Sequence, residues 1–493
     1  MLNIRSKILF AALHCTPNTP LTRHAFICGL HLFLVSYILQ PLSLSLSLSL
    51  SHLPSTPFQL SKSSSSSSLS LATKTSFSTP TNLSHIVFGV VGSMNTWKNK
   101  RFYSQAWWRP NVTRGYLFLD RPPTNEFLPW PSSWPPFRVN EDLTKMKTHP
   151  NFLKPTQVRI ARTVLETFRQ GDQDVRWYVM ADDDTVLAVD NLVGVLAKYD
   201  HTNKFYIGTN SECVKSNFDF SFEMAFGGAG YAMSYPLVAS LAGKLDACLE
   251  RYPRLWVSDF MLFTCLSDLG ISLTHNNGFH QIDLFRDVSG LLSSHPQTPF
   301  LSLHHIDTID PIFPGKNRPD SINHLMKAAK SDQSRLLQQT ICHHRPTNWT
   351  FSVSWGYSVH IYENILPRSF LRKPLETFRP WKSMRPPLYM FNTRWPTNNP
   401  CEAPHVFFFD SVENSTEKDQ ITTTYIRVFP RGLPACSSGG NHSADHMAKI
   451  RIFSPAKLPL EAGGRECCDV VHTSGMNITE VRYRPCIKDE VTA

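Results

Sequence analysis

Short, unbroken apolar runs alternate with amphipathic stretches through the first half of the chain. Residues 85–91 (H-I-V-F-G-V-V) and 177–181 (W-Y-V-M-A) have no polar alternation, which predicts strands buried on both faces. Residues 116–119 and 204–208 predict two further strands, and 98–108 a helix. Between residues 157 and 170, Val158, Ala161, Val164, Leu165 and Phe168 recur at helical spacing and Gly171 can end the helix. Asp190 can cap a helix that carries Leu192, Val193, Val195 and Leu196 on one face. Ser234 and Pro236 open a helix expected to run to about Arg251. Ser258 can cap another from 259 to 269, closed by Gly270 before a strand at 271–274. Strand and helix in alternation predict an α/β fold with a mostly parallel, covered sheet over residues 83–320.

The pattern changes on either side of that region. Residues 1–24 hold Arg5, Lys7 and Arg23 and no acid, and 25–42 are almost entirely apolar. This order predicts a cytosolic tail followed by a signal-anchor span, the alternative being a cleaved signal peptide. Residues 43–82 are rich in Ser, Leu, Thr and Pro, with an unbroken serine run at 63–68, and read as a flexible stem. From 321 onward a helix is expected at 322–338. Short runs such as 350–355, 405–409, 423–429 and 449–453 follow, separated by Pro, Gly and Asn, as in a β-rich accessory domain.

Composition adds a few limits. The 493 residues allow two or three domains, and 49 basic against 39 acidic residues leave a formal charge of +10. That excess suits a polyanionic ligand or a membrane surface. No long Lys/Arg run or zinc-finger spacing points to nucleic acid, so none is expected as a partner. The 11 cysteines are dispersed without a C-x-x-C pair, which favours disulfides in an oxidising compartment over a thiolate metal site. Six of them lie between Cys342 and Cys486.

The candidate chemistry centres on Asp182, Asp183 and Asp184, which follow directly on the 177–181 run. In open α/β sheets, ligands sit beyond the carboxyl ends of the strands. Three adjacent carboxylates there repel one another unless a cation neutralises them. Strand alternation puts Asp182 and Asp184 on one side, a pairing that suits a hard divalent ion. The turn F-G-G-A-G-Y at 226–231 allows close backbone approach to a ligand, yet lacks the Gly-Lys-Ser/Thr ending of a phosphate-binding P-loop. Asp259 stands at a helix start, where interaction with the helix N-terminus is its simplest role. His304 and His305 are adjacent, so a strand would send them to opposite sides; His280 is a further candidate. No G-x-S-x-G, H-E-x-x-H or G-x-G-x-x-G is present, which removes several enzyme classes.

Taken in order, H-I-V-F-G-V-V-G-S, the W-W-R at 107–109, R-W-Y-V-M-A-D-D-D, F-G-G-A-G-Y-A-M, V-S-D at 257–259, G-F-H-Q-I-D at 278–283 and L-H-H-I-D at 303–307 resemble the fringe-type β-1,3-glycosyltransferases of glycosyltransferase family 31. The closer resemblance is to the plant fringe-related group called domain of unknown function 604, whose C-terminal tail this chain also shares. The resemblance implies a GT-A-like nucleotide-sugar fold and a divalent metal, usually Mn2+. It implies a UDP-sugar donor, a glycan or glycoprotein acceptor, and a Golgi type II membrane protein with a luminal catalytic domain. Sequons at Asn111, Asn348, Asn414, Asn441 and Asn477 would then be open to glycosylation. Residue by residue, Asp184 and His305 would bind the metal, and Asp182 and Asp183 would contact the donor. Gly227, Gly228 and Gly230 would line the sugar pocket, Arg101 would reach the diphosphate, and Asp259 would be the catalytic base. A sugar-binding protein of the same fold without turnover, or a metal-dependent hydrolase, are the competing readings.

Overall fold

The computed structural model describes residues 79–491, apart from positions 297, 383, 418, 440–441, 457–465 and 473–475. The expected anchor at 25–42 and nearly all of the expected stem lie outside these residues. Among the described residues, no helix is long and apolar enough to cross a membrane.

The first sheet has seven strands in the order β3-β2-β1-β4-β7-β6-β8. They are β1 (Ile86–Val91), β2 (Arg114–Leu119), β3 (Phe137–Val139), β4 (Trp177–Asp182), β6 (Tyr206–Gly208), β7 (Tyr231–Ser234) and β8 (Leu273–His275); a short β5 (Val186–Leu187) pairs instead with Ser302–Leu303. Every residue of β1 is buried, as is β4 up to Ala181, which accounts for their unbroken apolar sequences. At Gly89 a Cβ would lie 2.5 Å from Thr167 Oγ1 and 2.4 Å from the Met180 methyl, so the Pro155–Phe168 helix packs against bare backbone. β1, β2, β3 and β4 run parallel, as do β6 and β8. The exception is β7, antiparallel to both β4 and β6. The sheet is therefore mostly parallel, as expected, with one reversed strand. That reversal matters for the site, because it brings the start of β7 and the glycine turn before it to the carboxyl end of β4.

The single helix expected from 234 to about 251 is two, Tyr235–Ala242 and Leu245–Arg251, parted at Gly243 and Lys244. The break lets the second segment turn toward the Ser258–Asp268 helix, to which the Cys248–Cys265 disulfide ties it. Further on, the expected helix at 322–338 spans Arg318–Ser331. It starts early because Asn317 caps it, accepting from Asp320 N (2.8 Å), with Pro319 in its first turn.

The second sheet has eight strands between Gln339 and Pro485. All neighbouring pairs are antiparallel except Lys449–Pro455 with Ile478–Pro485. Its two outermost strands, Gln339–His344 and Glu466–His472, are joined by the Cys342–Cys468 disulfide with Cα atoms 5.6 Å apart. The sheet is thus curled until its edges meet. Cys401–Cys436 and Cys467–Cys486 add two further cross-links. The apolar core runs without a break from Ile86 and Val179 in the first sheet to Val353, Tyr425 and Val481 in the second. A short strand, Phe378–Pro380, pairs back onto Leu284–Arg286. The C-terminal region is therefore built into the same body as the first sheet.

Candidate active site

The carboxylates emerge where two parallel strands end together. Val91 is the register partner of Asp182, and Asp183 N donates to Val91 O (2.8 Å). Asp182 keeps 37% of its side chain exposed, whereas Asp184 keeps 3%. Asp184 Oδ1 lies 3.2 Å from His304 Nε2, and Asp182 Oδ2 3.7 Å from the same nitrogen. The strand ends at Asp182, and the turn that follows, with Thr185 N donating to Asp182 O (3.2 Å), brings Asp182 and Asp184 to one imidazole; one ligand atom from each of the three lies within 4.8 Å of the others.

Lys100, on the Trp97–Trp107 helix, enters from the other side. Its Nζ is 2.7 Å from Asp184 Oδ2, 3.6 Å from Asp183 Oδ1 and 4.0 Å from Asp307 Oδ2. Burial alone would raise the Asp184 carboxyl, but His304 and Lys100 hold it well below the usual range. Asp183 moves the other way: burial, with the Asp184 charge beside it, pushes it up to about 7. Burial also works against a charged His304, yet Asp184 and Asp182 raise it to about 9. Buried Asp183 Oδ2 and Asp307 Oδ1 have no hydrogen-bond partner among the described residues, and Asp184 Oδ1 faces His304 Nε2 (3.2 Å). Oxygens left bare beside an imidazole are the donor set that a divalent ion of the manganese class takes.

The glycine turn forms the wedge between this cluster and Asp259. A Cβ on Gly227 would stand 2.4 Å from Asp259 Oδ1, and one on Gly228 would stand 2.0 Å from His304 Cε1. Gly230 has φ +93°, a conformation that side chains resist. Thr185 Oγ1 donates to Gly228 O (2.6 Å) and Ala229 N to Gln281 Oε1 (2.8 Å), which fixes the turn. Gly228→Ala is therefore expected to push the His304 ring off the carboxylates and weaken divalent-cation binding at least tenfold by calorimetry, an effect on the scale of losing a ligand's support. Gly243→Ala, where nothing lies within 4 Å, is the neutral control.

Asp259 sits in the first turn of the Ser258–Asp268 helix and shares a cleft with Asp182, Gly227 and Tyr231. Burial raises its carboxyl to about 6, against the pull of a Gly227 backbone hydrogen bond. The other acids nearby are engaged. Asp283 is paired with His305 Nδ1 (2.9 Å) and Ser211 Oγ (2.6 Å), and Asp268 lies at the far end of the helix against Arg251.

Two assignments from the sequence land elsewhere. His305 is turned away from the carboxylates, onto Asp283 and against the Trp381 ring (4.4 Å between centroids), because its φ of +55° ends strand-like alternation at that residue. His304 takes the place expected of it. Arg101 faces the aromatic rings of Trp134 (5.6 Å) and Phe127 (6.0 Å); one residue earlier on the same helix, Lys100 is the cation that reaches the acids. Lys100 carried no motif that would have marked it; Asp307 closes the L-H-H-I-D stretch but had no role assigned to it there.

The family model for a protein of unknown function, DUF604, matches residues 216–468, just over half of the chain. The chain belongs to this family. The DUF604 match contains Gly227–Gly230, Asp259 and His304, while the acidic cluster lies before it. The chain is also 31% identical over 153 residues to a human beta-1,3-glucosyltransferase, covering 30% of this chain and 28% of that one. It is 31% identical over 124 residues to the beta-1,3-N-acetylglucosaminyltransferase lunatic fringe of Xenopus laevis, covering 22% and 33%. The matches thus span a third or less of those relatives. A solved glycosyltransferase involved in glycosylation of the major capsid of PBCV-1 overlays 48% of this chain and 97% of its own at a TM-score of 0.27 and 8% identity, too loosely to carry an argument.

Proposed function

We propose that this DUF604 protein is an inverting, metal-dependent glycosyltransferase. In this reading it moves a hexose or N-acetylhexosamine from a UDP-sugar to a glycan or glycoprotein acceptor, forming a β-1,3 linkage. The observation that carries the proposal is the pairing of two sites across one glycine turn. On one side stand Asp182, Asp184 and His304, beside the bare buried oxygens of Asp183 and Asp307; on the other is a cleft-facing carboxylate, Asp259, with its pKa raised to about 6. The named activities of the partial relatives point the same way.

Asp182, Asp184 and His304 would hold the metal, whose positive charge offsets the negative charge that develops on the leaving diphosphate. Asp259 would accept the proton of the acceptor hydroxyl as its oxygen bonds to the anomeric carbon and the sugar–phosphate bond breaks on the opposite face. Attack from behind inverts that carbon, so an α-linked donor yields a β-linked product. Gly227 and Gly228 carry no side chains to crowd Asp259 and His304. Four disulfides among the described residues fit an oxidising compartment such as the Golgi lumen, where a type II anchor at 25–42 would place this body. The test is release of UDP from a panel of UDP-sugars by the full chain, with and without Mn2+. Manganese-dependent release is expected for at least one sugar. Donor binding without release for every sugar would favour the sugar-binding alternative and remove the enzyme.

A further inference from the structure

As a metal ligand, His304 lacks the support such a residue commonly has. A ligating histidine usually donates its second ring N–H to a carboxylate or carbonyl, which fixes the ring. His304 Nε2 faces Asp184 (3.2 Å), but Nδ1 is buried with no hydrogen-bond partner among the described residues. The ring is therefore held by packing. One neighbour is the bare backbone of Gly228, where a Cβ would stand 2.4 Å from Nδ1. Another is the His305 ring, with centroids 3.8 Å apart and planes tilted by 32°. His305 is itself pinned. Its Nδ1 pairs with Asp283 Oδ1 (2.9 Å), and buried Asp283 also accepts from Ser211 Oγ (2.6 Å). Trp381 lies against His305 at 4.4 Å, and Phe285 stacks on Trp381 at 5.3 Å. The rings of His304, His305, Trp381 and Phe285 form one file that starts at the acidic cluster and ends at the surface, where Phe285 is exposed.

Trp381 comes from the C-terminal region. It directly follows the Phe378–Pro380 strand that pairs with Leu284–Arg286, and its N–H donates to Asp283 O (2.8 Å). Arg286 also bridges to Ile309, just past the two histidines, and its carbonyl accepts from Asp310 N (3.2 Å). One short strand therefore ties the C-terminal segment to the segment that carries His304 and His305. We propose that Trp381 is a positioning residue for the metal site, and that through it the C-terminal region completes that site. The inference rests on the reading of Asp182, Asp184 and His304 as metal ligands. Aromatic rings favour offset or tilted contact, and the His305 and Trp381 planes meet at 35°. Without the indole, the His305 ring would be free to tilt into the space left behind. His304 would then lose the wall that keeps Nε2 toward Asp184, and no hydrogen bond at Nδ1 would hold it in place.

The test is Mn2+ titration of the full-length chain by calorimetry, scored as the binding that Asp184→Asn abolishes, with thermal unfolding followed by circular dichroism. Trp381→Ala is expected to weaken Mn2+ binding about tenfold, the low end for losing a ligand's support. Trp381→Phe keeps a ring against His305 and is expected to recover most of the affinity. Lys382→Met is the control. Lys382, the next residue on the segment, is held by Asp219 (2.9 Å) and lies over Phe220 (5.4 Å), outside the file of rings, so its loss should leave Mn2+ affinity at the wild-type level. If Trp381 only stabilises the fold, Trp381→Ala will unfold at a lower temperature yet bind Mn2+ as wild type does, and that result would overturn the proposal. A Trp381→Phe variant as weak as Trp381→Ala would overturn it too. If Trp381→Ala does not fold, Trp381→Leu, which keeps apolar bulk without a flat ring, decides by the same comparison. Absence of Mn2+ binding to the wild-type chain would instead overturn the metal reading and this inference with it, whereas wild-type binding that the substitutions leave unchanged removes this inference alone.

Discussion

Asp259→Asn is expected to lower transfer to acceptor by at least about 10²-fold, the low end for loss of a general base, with donor binding close to normal. A first-turn aspartate that merely favours the helix N-terminus would cost about 0.3–1 kcal/mol of stability and leave turnover intact. The structure separates these roles. The helix begins at Ser258 after an N-cap, Val257, that has no capping side chain, while the Asp259 carboxylate points into the cleft against Gly227. Its pKa, raised to about 6, gives the expectation a pH signature. Below about pH 6 the carboxyl is protonated and cannot accept a proton, so the wild-type rate should fall about tenfold per pH unit there. The asparagine variant should lack that limb. Near-normal turnover in Asp259→Asn would remove the residue as base.

Asp184→Asn should abolish metal-dependent UDP-sugar binding while the protein stays folded. Asp184 is the carboxylate that touches both His304 and Lys100, and Asn cannot supply its charge to an incoming cation. The fold survives because Lys100 still has Asp183 and Asp307 within 4 Å, and Asn keeps the volume of the side chain. Calorimetry in Mn2+ with the relevant UDP-sugar is the measurement. Donor affinity equal to wild type would eliminate Asp184 as a metal ligand.

Much of this site was legible because it rests on continuous patterns. The runs at 85–91 and 177–181 mark the two central strands to within a residue, since a strand covered on both faces has no polar positions. The D-D-D cluster follows from where the second of them stops; locally Asp259 reads only as a helix-start acid, and its role as base comes from the resemblance. What the sequence hid was backbone direction. Tyr231–Ser234 is only four residues, too short to show that it reverses the sheet. A left-handed φ at His305 decides which of two adjacent histidines faces the acids, and nothing in L-H-H-I-D encodes it locally. Lys100 and Arg101 are alike in charge and differ by one helical step of about 100°. The break at Gly243 was visible as a glycine, but a helix can tolerate one. The disulfide partners depend on how the second sheet curls, which no cysteine spacing states.

That curl has a consequence for making the protein. The Cys342–Cys468 bond closes a loop 126 residues long. Cross-linking a loop of that length removes unfolded-chain entropy worth on the order of 4–5 kcal/mol. In a host whose cytosol keeps thiols reduced, the two border strands would lose their clasp and present free N–H and C=O groups to any other strand nearby. Newly made chains would then be at risk of joining edge to edge before the barrel-like wall closes. Because the same apolar core continues into the first sheet, a fragment ending near residue 320 would not escape the problem: it would bare the surface on which that wall is built.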